Sequence, residues 1–157
     1  MNYQDERTNY CRLSDSWTYR GLKTVIIENE IVRITVLADK GADIYSFVHK
    51  KTDTDFMWRS PWGVRNPRNT VPPTGDPSSV WLDYYEGGWQ TVVPHGGYSD
   101  RVYGADFGIH GDVNLIPWDT QVIKDTPTEV SVRFNARSVR MPMIVSKTLS
   151  LVSGSAM

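Results

Sequence analysis

The feature that most constrains this chain is a set of β-branched runs with period two, closely spaced and punctuated by turn residues. Residues 23–28 (Lys-Thr-Val-Ile-Ile-Glu) and 31–37 (Ile-Val-Arg-Ile-Thr-Val-Leu) are separated only by Asn29-Glu30, the composition and spacing of a hairpin. In the second run Val32, Ile34 and Val36 share one face while Arg33 and Thr35 point the other way, so one side belongs to a core. Ala38-Asp39-Lys40-Gly41 makes a turn. Residues 43–49 then return as a third strand, with Ile44, Ser46 and Val48 alternating against Tyr45, Phe47 and His49. Phe56-Met57-Trp58 reads as a short apolar strand, and residues 121–124, 129–137 and 140–151 resume the pattern, with Val130, Val132 and Phe134 on one face. No stretch keeps a helical period for long. The predicted class is all-β, an antiparallel sandwich of strands joined by short turns.

Two stretches fall outside this pattern. Residues 1–15 are polar without a period, which predicts a loose N-terminal strap. Between Val64 and Ser79 the chain carries Pro67, Pro72, Pro73 and Pro77, a composition that predicts a long surface loop. Loops of about 15 residues without their own structure are uncommon and often functional.

With 157 residues the chain fits one domain, spanning residues 1–157, long enough to bury a core. A net charge of −1 with scattered Lys and Arg excludes the concentrated positive footprint of a nucleic-acid surface. Cys11 is the single cysteine, so no internal disulfide is possible. The opening residues have neither a basic nor an apolar region of the secretory type. These features predict a reduced, cytoplasmic protein, and no apolar run approaches the roughly 18 residues that cross a bilayer.

Chemistry-bearing residues concentrate between Tyr85 and Asp119, where two of the three histidines are each followed by glycine. Glycine lets the backbone turn and approach another group, so a neighbouring polar side chain can be displayed at a strand end. His110, in Gly-Ile-His-Gly, is the first choice for a catalytic group, because histidine is the side chain best suited to exchanging protons near neutral pH. A histidine that only hydrogen-bonds a turn fits the same spacing. His95, in Pro-His-Gly-Gly, follows the same logic, whereas His49 ends an amphipathic strand and reads as structural or exposed. The three histidines lack local metal-ligand spacing and the lone cysteine adds none, so no metal site and no cofactor are expected. Arg59 precedes Ser-Pro-Trp-Gly, a context for a hydroxyl-rich or anionic ligand or for a surface ion pair. Trp58, Trp62, Trp89 and Trp118 surround these groups in sequence. An indole face packs against the C–H face of a sugar ring, although core packing explains each tryptophan taken alone. Gly87-Gly88 is not a phosphate loop, and no Gly-x-Ser-x-Gly elbow is present.

Gly87-Gly88-Trp89 through Pro94-His95-Gly96-Gly97, then Gly108-Ile109-His110-Gly111-Asp112-Val113 with Pro117-Trp118-Asp119, resembles the aldose 1-epimerase (galactose mutarotase-like) superfamily, nearest its poorly characterised bacterial branch. Lys40-Gly41-Ala42-Asp43-Ile44 and Met57-Trp58-Arg59-Ser60-Pro61-Trp62-Gly63 are also similar to that branch, so the resemblance covers residues 20–152. It implies a large antiparallel β-sandwich, the supersandwich, and interconversion of the α and β anomers of a sugar. It gives His110 the role of binding the sugar and protonating its ring oxygen, with Arg59, His95, Trp89 and Trp118 as substrate-binding candidates. Hexose-phosphate mutarotases carry Arg-Gly-Gly where this chain has Glu86-Gly87-Gly88, which argues against a phosphorylated substrate. Family members run to about twice this length, and by resemblance their glutamate base lies in the second half.

The first expectation is therefore a mutarotase-like, sugar-binding chain corresponding to the N-terminal part of such an enzyme, inactive or barely active alone. The alternative is a non-catalytic carbohydrate-binding β-domain, and a third reading is a structural or assembly protein. The strand over 140–151 ends without a partner strand, leaving an edge and apolar faces at Val130, Val132, Phe134, Val145 and Leu149 that predict self-association.

Overall fold

The computed structural model describes residues 10–156. Of the expected N-terminal strap, residues 1–9 lie outside the described residues, and residues 12–15 belong to a strand. In chain order the elements are β1 (Arg12–Tyr19), β2 (Leu22–Glu28), β3 (Val32–Leu37), β4 (Asp43–His49), β5 (Thr54–Asp55), α1 (Pro77–Tyr84), β6 (Asp100–Val102), β7 (Ala105–Phe107), β8 (Asp119–Thr126), β9 (Glu129–Arg137) and β10 (Ile144–Val152). The fold is all-β with one short helix, and all three sheets are antiparallel. β1 to β5 form a five-stranded meander, β8 to β10 a three-stranded sheet with β9 in the middle, and β6 and β7 a small hairpin.

The period-two runs become strands because their apolar residues pair across the ladder and face one core. Val25 stands opposite Val36, and Ile27 opposite Ile34. These four side chains pack in the same cluster as Val130, Val132 and Phe134 of β9, so the two larger sheets lie face to face as a sandwich. Val130, Val132 and Phe134 are all 0% exposed. The expectation that they would lack cover is thus overturned, because the meander covers them. Among the described residues the smaller sheet has no further strand beyond its two edges, β10 and β8, and Val122 and Ile123 of β8 are exposed to 41% and 44%.

Three further expectations are corrected. In β4 the strict alternation breaks, since Ile34 pairs with Phe47, Thr35 with Ser46 and Val36 with Ile44, leaving Tyr45 as an extra residue. This bulge lets Ile44 and Phe47, three positions apart, both reach the core. Phe56-Met57-Trp58 is not a strand. The Asp55 carboxylate accepts hydrogen bonds from the Phe47 and Met57 amides, both at 3.0 Å, and so turns the chain away from the sheet after β5. Last, the proline-rich loop gives way to α1 at Pro77. Asp76 caps the helix, its carboxylate accepting from the Ser79 amide at 2.8 Å, and proline at the first helical position has its φ already set.

Asn29, in the β2–β3 turn, is fully buried and joins distant parts of the chain. Its side-chain oxygen accepts from the Ile31 and Val32 amides, each at 2.9 Å, while its Nδ2 donates to the carbonyls of Val152 (2.8 Å) and Ser155 (2.6 Å). Among the described residues no helix is long and apolar enough to cross a membrane.

Candidate functional site

The two His-Gly corners are brought together by backbone contact. Gly111 has φ +87°, and a Cβ built on it would lie 1.7 Å from the Val93 carbonyl oxygen. Only glycine permits this crossing, in which Val93 and Gly111 form a bridge, the Asp112 amide donates to Val93 O (3.2 Å) and the His110 amide to Gly97 O (3.1 Å). His110 itself has φ +62°, a conformation that non-glycine residues seldom adopt and that clusters at functional sites. Asp112 anchors the corner, since one carboxylate oxygen accepts from Ser138 Oγ (2.9 Å) and from the Val139 (2.8 Å) and Arg140 (3.0 Å) amides in the β9–β10 connection.

On this support the half-buried His110 ring lines a cleft of about 380 Å³, with Trp81 and Leu82 of α1 on one wall and Gly97 and Tyr98 on another. Its edge-to-face partner is Trp81, at 4.7 Å and 82°. Trp81 stacks on Tyr85 at 4.7 Å, and Tyr85 on Trp58 at 5.8 Å, so four rings run in a ladder that ends at the imidazole. His110 Nδ1 is buried and has no hydrogen-bond partner among the described residues. Buried polar atoms are nearly always paired, so this nitrogen is an exception.

Behind the cleft lies a buried ionic cluster. The side chains of Lys40, Asp43 and Glu86 are all 0% exposed, with Lys40 Nζ 3.2 Å from Asp43 Oδ2 and 2.5 Å from Glu86 Oε2. The contact to Asp43 is a hydrogen bond, whereas the closer one to Glu86 is a charge contact without hydrogen-bond alignment. Gly87 and Gly88 bring Glu86 there by packing backbone on backbone, since a Cβ on Gly88 would meet the Ile44 carbonyl at 2.5 Å. Burial pushes the Asp43 carboxyl up to about 7, with Lys40 opposing and Glu86 reinforcing the rise. Gln90 links cluster and cleft, donating to Asp43 Oδ2 (3.3 Å) and accepting from Trp81 Nε1 (3.1 Å). Lys147 of β10 donates to Ala42 O (2.6 Å) and Thr91 Oγ1 (2.7 Å), and its burial brings its pKa down to about 8 against the opposing charge of Asp43.

The five residues singled out from sequence therefore occupy different places, and only His110 lines this cleft. His95 belongs to the partner corner, its ring edge-to-face with Phe107 at 6.0 Å and its Nε2 buried without a partner among the described residues. Trp89 is 65% exposed and borders a separate opening with Thr91, Lys147 and Leu149. Trp118 is corrected from ligand platform to core residue: it is 3% exposed, its indole N–H donates to Val113 O at 2.9 Å, and Lys147 Nζ sits 5.2 Å from its ring centre. Arg59 lies on the outer face of the meander, paired with Asp55 and stacked 3.9 Å above the Tyr45 ring. Burial opposes ionisation of Asp55, but the Met57 and Phe47 amides and Arg59 outweigh it and hold its pKa at about 2.

Trp81, Tyr85, Gln90 and the Lys40–Asp43–Glu86 cluster escaped the sequence reading. The available signal was Asp76-Pro77, which starts a helix that carries Trp81 and ends at Tyr85, its C-cap. Glu86 stood out only as the residue replacing an arginine. Among the described residues no group of three or more His, Cys, Asp or Glu side chains is placed to hold a metal ion. No protein-family model matches the chain, and no curated protein matches it.

Proposed function

We propose that the cleft at His110 binds an aldose and that the chain assists interconversion of its anomers, in the manner of an aldose 1-epimerase. The observation that carries this reading is the His110 imidazole on the wall of an aromatic cleft, beside the Trp81 ring. A cleft of about 380 Å³ falls in the range of small-molecule sites. Trp81 and Tyr98 supply apolar surface for the C–H face of a pyranose. In the proposed step His110 gives a proton to the ring oxygen while the anomeric hydroxyl loses its proton to water. The C1–ring-oxygen bond then breaks, and the open-chain aldehyde rotates and recloses with either configuration. Cys11, a buried free thiol whose Sγ contacts the Leu151 carbonyl at 3.6 Å, fits a reducing, cytoplasmic setting.

One observation favours a second reading, sugar binding without turnover. None of the described residues lining the cleft is acidic, so no carboxylate base stands beside His110. Polarimetry of freshly dissolved α-glucose and α-galactose separates the two. Protein-accelerated decay of rotation, lowered about 10²-fold by His110→Ala, is the expected result for catalysis. Saturable binding with an uncatalysed decay assigns the cleft to binding alone, and neither signal refutes both readings.

A further inference from the structure

Trp81 forms one wall of the His110 cleft, and its ring is held in two different ways. Stacking on Tyr85 at 4.7 Å and 17° fixes the plane of the indole. It does not fix which way round the ring lies in that plane, because the torsion that carries an aromatic ring has two broad wells half a turn apart. The indole N–H distinguishes the two, and it donates to Gln90 Oε1 at 3.1 Å. One hydrogen bond therefore selects the ring orientation that meets the His110 imidazole edge to face, at 4.7 Å and 82°.

Gln90 can make this choice because its other end is fixed. Ile44 and Trp89 form an antiparallel bridge, with the Ile44 amide donating to Trp89 O (3.0 Å) and the Trp89 amide to Ile44 O (2.9 Å). That pairing sets the adjoining residues, Asp43 and Gln90, opposite each other. Gln90 Nε2 donates to Asp43 Oδ2 at 3.3 Å, and the buried Asp43 carboxylate is held in turn by Lys40 at 3.2 Å. An indole nitrogen only donates and an ionised carboxylate only accepts, so the amide has one way round, oxygen toward Trp81 and nitrogen toward Asp43. The helix that carries Trp81 is eight residues long, too short to be stable by itself. Its Tyr84 and Asp83 side chains bond to the preceding loop, at Thr70 and Arg65, whereas Trp81 reaches Gln90 and through it Asp43 of β4.

We infer that Gln90 is a positioning residue for the His110 cleft, holding the Trp81 indole in the one orientation that packs edge to face on the imidazole, with the buried Lys40–Asp43 pair as its anchor. Its consequence for a ligand rests on the sugar-binding reading proposed above, whereas the geometry of the two rings is measured without any sugar. A cleft that binds no aldose therefore leaves the role of Gln90 standing, and a failure at Gln90 leaves the sugar reading to its own assay.

The test is NMR of the full chain, with Gln90→Leu and Gln90→Glu each compared with wild type at the same pH. Two signals are followed: exchange of the Trp81 indole N–H with solvent, and the His110 ring-proton shifts, which the adjacent indole displaces. Gln90→Leu removes both hydrogen bonds. It should speed indole exchange by about fivefold or more, the factor for one net hydrogen bond, and move the His110 ring signals. Gln90→Glu keeps an acceptor for Trp81 but sets a second carboxylate against Asp43. At about pH 8 it should behave as Gln90→Leu does, and at about pH 5, where the two carboxyls can share a proton, it should return to wild-type values. The other charges around Asp43, those of Lys40, Glu86 and Lys147, are the same in every protein compared. Rescue that depends on pH separates a hydrogen-bonded positioning role from the filling of space. His110 ring signals that stay at their wild-type positions in Gln90→Leu overturn the inference. So does a Gln90→Glu protein that matches wild type at about pH 8 or departs from it at about pH 5, and this pair decides the matter if Gln90→Leu does not fold.

Discussion

Replacing Gly111 by alanine is the sharpest test of how the two His-Gly corners are held. Gly111 has φ +87°, where an L residue is disfavoured by about 1–2 kcal/mol. The added methyl group would also sit 1.7 Å from the Val93 carbonyl oxygen. Carbon–oxygen contacts normally lie near ~3.3 Å, so one backbone segment has to move by about 1.5 Å. Such a shift disrupts the Asp112-to-Val93 and His110-to-Gly97 hydrogen bonds, each contributing about 1 kcal/mol. The expected total loss is about 3–5 kcal/mol, the scale reserved for overpacking combined with strain. Gly104→Ala is the control, because Gly104 has nearly the same φ, +83°, but nothing within 4 Å of a built Cβ. It should cost only the conformational part, about 1–2 kcal/mol. Urea unfolding followed by tryptophan fluorescence, with midpoint and slope compared, measures both variants. A Gly111→Ala protein already unfolded in buffer agrees with the argument. Losses for the two variants within about 0.5 kcal/mol of each other refute it, because the backbone crossing would then contribute nothing beyond its φ.

Asp43 makes stability depend on pH. Its folded pKa, near 7, is raised above the ordinary 3.8, so the stability it contributes is fully present below about pH 4 and is lost as pH climbs to 7. Asp43→Asn should flatten the difference in urea midpoint between about pH 4.5 and 7.5, a window that avoids the low titration of Asp55, and an unchanged pH dependence removes Asp43 as its source. The open edges of the three-stranded sheet favour pairing with a second copy, so light scattering at tens of micromolar (roughly the range where exposed edges associate) should report a dimer or larger. Ile123→Lys, which puts a charge on the β8 edge, should shift that distribution toward monomer. A stable wild-type monomer sinks the prediction.

The meander was legible because burial and pairing repeat with the strand period. Val32, Ile34 and Val36 alternate in the sequence and sit in the core in the structure, and residues 43–49 form the expected strand. What alternation does not encode is an inserted residue. Tyr45 looks like any other member of β4, and only the pairing of Val36 with Ile44 reveals the bulge. Proline content misled at Pro77, where a residue that breaks a helix interior begins a helix. At the candidate site, His110 stood out by its flanking glycines, and its ring lines a cleft. The surroundings of that ring were not legible, since Trp81, Gln90 and Asp43 converge from α1, a loop and β4 through contacts that no local spacing announces. Trp118 illustrates the converse, because a tryptophan next to candidate polar groups in sequence can face the opposite way in space.

Asn29 has a consequence for the order in which the molecule is made. A ribosome delivers the β2–β3 turn early, yet the carbonyls that accept from its Nδ2 are supplied by Val152 and Ser155, 123 and 126 positions later. Until those residues emerge, this amide has only water to bond, and the turn cannot bury it in its final surroundings without leaving donors unmet. The β2–β3 turn therefore reaches its final hydrogen bonding only once β10 and the residues after it are in place beside it.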